Sequence, residues 1–268
     1  MKKIGRQWLG AMVFYTCIPF PSHWPVELAR IARWAPWVGV IIGLVLGGLN
    51  LGLMRLGLPD APRSVLIVVA WLGMTGGLHF DGAMDTADGL GVCPSEQNRD
   101  SIRDRRLEVM ADSRSGAFGV MAALSIFSLK IAAISTLPTH APWLMIWPLI
   151  GGALWGRWGQ LWAIACYPYL KPRGKGAFHR ASSKFPQDFG PGLLGILGVT
   201  LYPLSQGITL AWVAAASLGW GLLVSMGSAA WFNARLGGHT GDSYGAVVEW
   251  TEALVLVGFT AIFQRIPL

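Results

Sequence analysis

The sequence predicts an all-α protein, a polytopic helical bundle integral to a membrane, and three observations carry that prediction. Of 268 residues, 53% are hydrophobic and only 13% are charged, against about 25% charged in ordinary soluble domains. Apolar stretches long enough to cross a bilayer, about 17 to 25 residues, recur near 36–56, 63–79, 117–137, 142–164, 190–207, 209–232 and 247–264. The basic residues are shared unevenly between the segments outside them: with the N-terminus inside, 1–35, 80–116, 165–189 and 233–246 hold 16 of the 21 Lys and Arg. That asymmetry follows the positive-inside rule and places those segments in the cytoplasm. It also accounts for the net charge of +7, so no nucleic-acid partner is needed.

About seven spans are expected, six to eight depending on 190–232, where Gly190, Pro191 and Gly192 open the fifth stretch and Pro203 interrupts it. No shift in composition and no internal repeat marks a second domain, so residues 1–268 read as one membrane domain with cytoplasmic loops 80–116, 165–189 and 233–246. The N-terminal run from Trp8 to Ile18 superficially resembles a signal peptide, but it lacks an A-x-A-like site, and Pro19 and Pro21 follow it. It is expected to be retained as an interfacial segment, with Lys2, Lys3 and Arg6 toward lipid headgroups. Cys17, Cys93 and Cys166 belong to no Cys/His cluster of metal spacing and are expected to be reduced thiols of minor structural weight.

The second stretch leads into GLHFDGAMDTADGLG, residues 77–91. Asp81, Asp85 and Asp88 stand at i, i+4 and i+7, which on an α-helix puts them within an arc of roughly 60°. Gly89 and Gly91 suggest a helix end there, where the macrodipole adds to the mutual repulsion of the carboxylates. A bound cation resolves both penalties. The ordinary alternative is that the aspartates only mark the wet boundary of a span.

A second acidic pair follows in the longest polar stretch. Glu108 and Asp112 share a helix face, and Arg114, in DSRSG at the mouth of the third apolar stretch, suits phosphate oxygens with its forked guanidinium. The neighbours Arg99, Asp100, Arg103 and Asp104 read as a solvated helix face. Within the spans, Lys130 and Arg157 carry costly charge. Arg157, among the glycines of GGALWGRWGQ, is the stronger candidate for substrate binding, and Lys130 can snorkel. The loop at 165–189 brings Lys171, Arg173 and Lys175, either as an ordinary basic loop or as a lid over an anionic substrate. Last, GGHTGDSYGAVVEWTE carries Asp242, Glu249 and Glu252 into the final span. In this topology all three acidic clusters meet one membrane face.

Carboxylates without a Cys/His set favour Mg²⁺, or Mn²⁺, over Zn²⁺. With Arg and Lys beside them they suit phosphoryl-type transfer, in which a carboxylate takes a proton from an attacking hydroxyl. The candidate metal ligands are Asp81, Asp85, Asp88, Glu108, Asp112, Glu249 and Glu252. Asp112 and Asp88 are the catalytic candidates, and Arg114, Arg157, Lys171, Arg173, Lys175, His79 and Asp242 the substrate-binding ones. A secondary transporter is the competing class, disfavoured because the acidic clusters gather at one surface rather than the midplane.

The segments FYTCIPFP, GLHFDGAMDTADGL, RRLEVMADSRSGAFGV and GGHTGDSYGAVVEWTE, in this order over nearly the whole chain, closely resemble the cobalamin synthase family of adenosylcobinamide-GDP ribazoletransferases. The resemblance implies a Mg²⁺-dependent enzyme of the bacterial inner membrane, joining adenosylcobinamide-GDP to α-ribazole or its 5′-phosphate with release of GMP. It implies the two small-molecule substrates and the lipid bilayer as partners, and it leaves a homo-oligomer open. A looser likeness reaches the CDP-alcohol phosphotransferases, whose DxxDGxxAR and GxxxDxxxD pattern surrounds two metals. Asp85-Thr86-Ala87-Asp88-Gly89 matches its start, and Glu108 and Asp112 stand where DxxxD would be. Leu90-Gly91-Val92-Cys93 lacks the Ala-Arg, and Asp104 replaces a glycine. What that likeness implies is Asp85, Asp88 and Glu108 as ligands and Asp112 as ligand or general base.

Overall fold

The computed structural model describes residues 3–93, 99–171, 176–207 and 210–266. The elements run α1 (Lys3–Tyr15), a 3₁₀ turn (Ile31–Trp34), α2 (Ala35–Arg55), α3 (Asp60–Thr75), α4 (Leu78–Leu90), α5 (Arg99–Val109) and α6 (Ala117–Ser135). They continue with α7 (Pro142–Cys166), α8 (Ala177–Ser182), α9 (Phe189–Ser205), α10 (Ala211–Leu236) and α11 (Gly241–Phe263). Among the described residues there is no strand, only an isolated bridge between Tyr169 and His239. The chain is a polytopic helical bundle, as its apolar periodicity predicts.

Four helices are long and apolar enough to cross a membrane: Ile31–Arg55, α6, α10 and α11. α3 and α4 pass the same test only together, and they are bent by 94° at the break between them. The remaining expected spans differ in character. α7 is long enough, but its glycines, prolines and tryptophans, with Arg157 and Gln160, lower its hydropathy, and it lies in the middle of the bundle with nearly every residue from Gly151 to Ala165 buried. α9 is a shorter apolar helix with Pro203 near its end, so 190–232 forms two helices rather than one broken hairpin.

α2 can lie directly on α7 because Gly39, Gly43 and Gly47, one turn apart, face it: a methyl on any of them would meet Ala153, Ile150 or Ile146 of α7. Small residues at such spacing let backbones approach where lipid offers no hydrophobic drive for helix association. The bend between α3 and α4 has an equally local cause. Gly76 and Gly77 both take the left-handed conformation, at φ 59° and 69°, which a residue with a Cβ adopts at a cost. Met74 O accepts a hydrogen bond from Cys17 N at 2.7 Å, fixing the bend against the chain that leaves α1. α1 is also no surface appendage. Gly10 rests on the backbone of Glu27, and Tyr15 is fully buried.

Four of the buried charges form one set in the interior. Lys130 Nζ sits 2.6 Å from both Glu249 Oε2 and Glu252 Oε2, and 4.5 Å from the centre of the Trp71 ring. Arg157 binds the other oxygen of Glu252 and donates to Ala153 O at 3.0 Å. Two cations against two carboxylates make a neutral set tying α6, α7 and α11, the arrangement in which buried charge survives. Lys130 is 3% exposed and so does not snorkel.

Candidate active site

The aspartate helix is α4, and all three aspartates are on it. The gly-rich break starts the helix at Leu78, so Asp81 lies in its first turn, where the dipole favours a carboxylate, and only Asp88 lies near its C-terminal end. The expectation that all three crowd an unfavourable helix end is corrected on that point. Asp85 is half-buried and feels the charges of Asp81, Asp242 and Asp88, with Lys171 opposing them. The neighbour that brings Asp242 is α11. Gly82 packs on the backbone of Asp242, and Gly245 packs on the backbone of His79, so α4 and the start of α11 touch main chain to main chain. Thr240 caps α11 through a reciprocal pair, Ser243 N to Thr240 Oγ1 at 3.2 Å and Thr240 N to Ser243 Oγ at 2.8 Å.

Lys171 reaches this group from the loop after α7. The backbone of Leu170 donates to His239 O and that of His239 to Pro168 O, both at 2.8 Å, and this clasp sets Lys171 Nζ 2.9 Å from Asp242 Oδ2. Beneath them is a cavity of about 90 Å³ between α1, α4, α7, α8 and α11, with Asp81 and Asp242 at its rim and His79, Gln160, His179 and Tyr244 in its wall. Burial lowers the imidazole of His179 to about 3, so that wall is neutral there at physiological pH. The opposite side of α4, with Ala83 and Ala87, borders an apolar groove of about 620 Å³ shared with Phe118, Trp231, Trp250 and Leu254.

Other expected site residues have partners of their own. Asp88 accepts from Gly116 N at 2.7 Å and Gly119 N at 2.8 Å, capping the N-terminus of α6 from a different helix. Glu108 is exposed on α5 and pairs with Arg105 at 2.8 Å. Asp112 and Arg114 form a forked pair, Arg114 Nη2 lying 2.6 Å from Asp112 Oδ2. The hydrogen bonds from Arg114 hold the Asp112 carboxyl low, at about 2. Glu249 and Glu252 face Lys130 and Arg157 rather than Asp242, so the third acidic cluster is divided: Asp242 belongs to the rim, and the two glutamates to the bundle interior, where their charge is already met. Arg157 keeps Nε and Nη2 unbonded. Arg173 and Lys175 lie outside the described residues.

Sequence reading missed Tyr15, Gln160, His179 and Tyr244. Tyr15 and Tyr244 stand within FYTCIPFP and GGHTGDSYGAVVEWTE, two of the segments that carry the resemblance, and Gln160 is a second polar group one turn from Arg157 within an apolar stretch; His179 has no such signal. Among the described residues no three His, Cys, Asp or Glu side chains are set to enclose a metal ion. The donors at the rim are nonetheless hard oxygens, and Mg²⁺ is commonly held by one or two carboxylates together with substrate phosphates and water. One or two of Asp81, Asp85 and Asp242 fit that mode.

Residues 7–260 match the cobalamin-5-phosphate synthase family model. The chain is 51% identical, over 97% of its length and 98% of the relative's, to the adenosylcobinamide-GDP ribazoletransferase of Thermosynechococcus vestitus (strain NIES-2133 / IAM M-273 / BP-1). It is 48% identical over 95% and 96% to the protein of that name in Trichormus variabilis (strain ATCC 29413 / PCC 7937). The corresponding values for Prochlorococcus marinus (strain MIT 9303) are 37%, 94% and 94%. No solved structure matches the chain.

Proposed function

The chain belongs to the cobalamin-5-phosphate synthase family, and from that premise we propose that it transfers the cobinamide phosphate of adenosylcobinamide-GDP to a ribose hydroxyl of α-ribazole, or of its 5′-phosphate, releasing GMP. The observation that carries the reading is the acidic rim Asp81, Asp85 and Asp242 with Lys171 against it, within a chain matched to the named transferases over nearly its whole length. Hard oxygen donors beside a cation suit a diphosphate. Mg²⁺, or Mn²⁺, held by one or two carboxylates of Asp81, Asp85 and Asp242 together with the substrate, would neutralise phosphate charge.

The protein's own groups supply the rest. Lys171 and Arg114 bind phosphate oxygens and orient the diphosphate. When a phosphate draws Arg114 away, Asp112 loses the bonds that hold its carboxyl low and can accept the proton of the attacking hydroxyl. The hydroxyl oxygen forms a bond to the cobinamide-side phosphorus, the bond from that phosphorus to the GMP oxygen breaks, and GMP leaves. The apolar groove on the far side of α4 is of ligand-binding size and suits the corrin macrocycle. The distribution of Lys and Arg supports a site on the cytoplasmic side, and membership of the family supports the bacterial inner membrane.

The test is the protein purified into lipid nanodiscs with both substrates and Mg²⁺. Formation of GMP and a cobalamin product in equal amounts, dependent on both substrates, is expected. Absence of both products from folded protein overturns the proposal.

A further inference from the structure

The cavity beneath the rim holds more polar groups than its hydrogen bonds account for. Tyr15 Oη, both ring nitrogens of His79 and of His179, Gln160 Oε1 and Tyr244 Oη are buried without a hydrogen-bond partner. None of the five side chains is more than 4% exposed. Four of them line the cavity. Tyr15 stands behind, stacked on the rings of His79 and His179 with centroids 5.9 Å away in each case. Folded proteins leave only a few buried polar atoms unpaired per hundred residues. Of the fifteen described side chains with such atoms, five gather at this one cavity, and four of those face a space that a ligand can enter.

Charge and size narrow the partner. Among the described residues the lining contains the carboxylates of Asp81 and Asp242 and no ammonium or guanidinium, and Lys171 beside the rim is bound to Asp242. An anion is repelled there, whereas hydroxyls can donate to carboxylate, imidazole and amide oxygens or nitrogens and accept from Tyr244. A volume of about 90 Å³, at about 10–15 Å³ for each water-sized position, holds roughly six to nine such positions. That is one small ring with its substituents, too little for a whole nucleoside. The rings of Phe14, His79, His179 and Tyr244 offer flat walls to the C–H faces of such a ring.

We infer that this cavity seats the sugar of the acceptor nucleoside, a neutral pentose whose hydroxyls bond His79, Gln160, His179 and Tyr244 and whose reacting hydroxyl faces out of the cavity past the rim. The inference rests on the transfer proposed above and adds the residues that select the acceptor. The base lies outside the cavity, toward the rim.

Calorimetric titration of the full chain in detergent with α-ribazole, with its free benzimidazole base and with the GDP-linked donor tests it. Wild type should bind the nucleoside more tightly than the base. Gln160→Met and Tyr244→Phe should each weaken the nucleoside by about three- to tenfold, and leave the base and the donor unchanged. Their melting temperatures should hold or rise, because each variant removes a polar atom that has no partner in the folded chain. Unchanged nucleoside affinity in both variants, equal weakening of base and nucleoside, or weakening of the donor alone would each overturn the inference. Sugar-dependent binding by wild type without GMP release would defeat the proposed reaction while leaving the cavity's preference standing. GMP release without that preference would defeat only the inference.

Discussion

Lys171 Nζ lies 2.9 Å from Asp242 Oδ2, a bond that joins the loop after α7 to the first turn of α11 and holds the one described basic side chain of that loop segment at the acidic rim. Both partners are more than two-thirds buried. Removing it should tell in binding more than in folding. Lys171→Met is expected to raise the KM for the GDP-linked donor about tenfold, with stability lowered by about 1 kcal/mol or less. Parallel steady-state kinetics and thermal melting check this, and an unchanged donor KM would take Lys171 out of the site.

Asp85 is the carboxylate most surrounded by others, since Asp81, Asp242 and Asp88 all act on it. Chelation should abolish turnover, and Mg²⁺ or Mn²⁺ should restore it. Asp85→Asn should lose most activity while gaining thermal stability, as an amide relieves the repulsion. An active, metal-independent variant would remove the cation from the proposal.

Asp112 lies beyond the end of α5 at Val109, so the expected helix face shared with Glu108 does not form, and the two differ in surroundings. Asp112→Asn is expected to slow the chemical step by about 10²-fold or more with donor binding kept. Glu108→Gln should change it by less than about threefold, because its pair with Arg105 is a solvated one. Single-turnover rates over a range of Mg²⁺ distinguish them, and equal defects curable by excess Mg²⁺ would make both residues ligands.

The buried set around Lys130 makes a stability prediction. Glu252→Gln leaves Arg157 and half of Lys130 uncompensated and should cost about 3 to 5 kcal/mol. Denaturation followed by tryptophan fluorescence measures it. Near-normal stability together with lost metal dependence would return Glu252 to the metal site.

His179 sets an acid limit. Its folded-state value, about 3, lies below its ordinary 6.5 because burial disfavours the imidazolium. The unfolded chain therefore binds the proton first as pH falls, and stability should decline from about pH 6.5 toward 3. His179→Gln should flatten that part of the melting temperature against pH. An unaltered slope would assign it to other groups.

The helical bundle was legible because lipid imposes long apolar runs, and the aspartate face of α4 because 3.6-residue periodicity is local. What was not legible depended on contacts between distant segments. Glu249 and Glu252 look like companions of Asp242 along the chain, yet α11 carries them inward to Lys130 and Arg157. Asp88 looks like a third ligand until the start of α6 presents two amide groups to it. His179 carries no motif that ties it to His79, Tyr15 in FYTCIPFP shows nothing of its place beside His79, and the cavity wall exists only because α1 folds into the bundle. The 94° turn after α3 rests on two adjacent glycines that an apolar window of spanning length passes over.

The backbone contacts of Gly82 with Asp242 and of Gly245 with His79 make α4 and the first turns of α11 a single unit of inheritance. At those two points a glycine of one helix meets the backbone of the other with no side chain between them to retune, so a chimera that takes one helix from a distant relative needs the other as well. The stretch between them is bound to the same unit, since Lys130 and Arg157 meet Glu249 and Glu252 of α11, Lys171 meets Asp242, and the start of α6 meets Asp88.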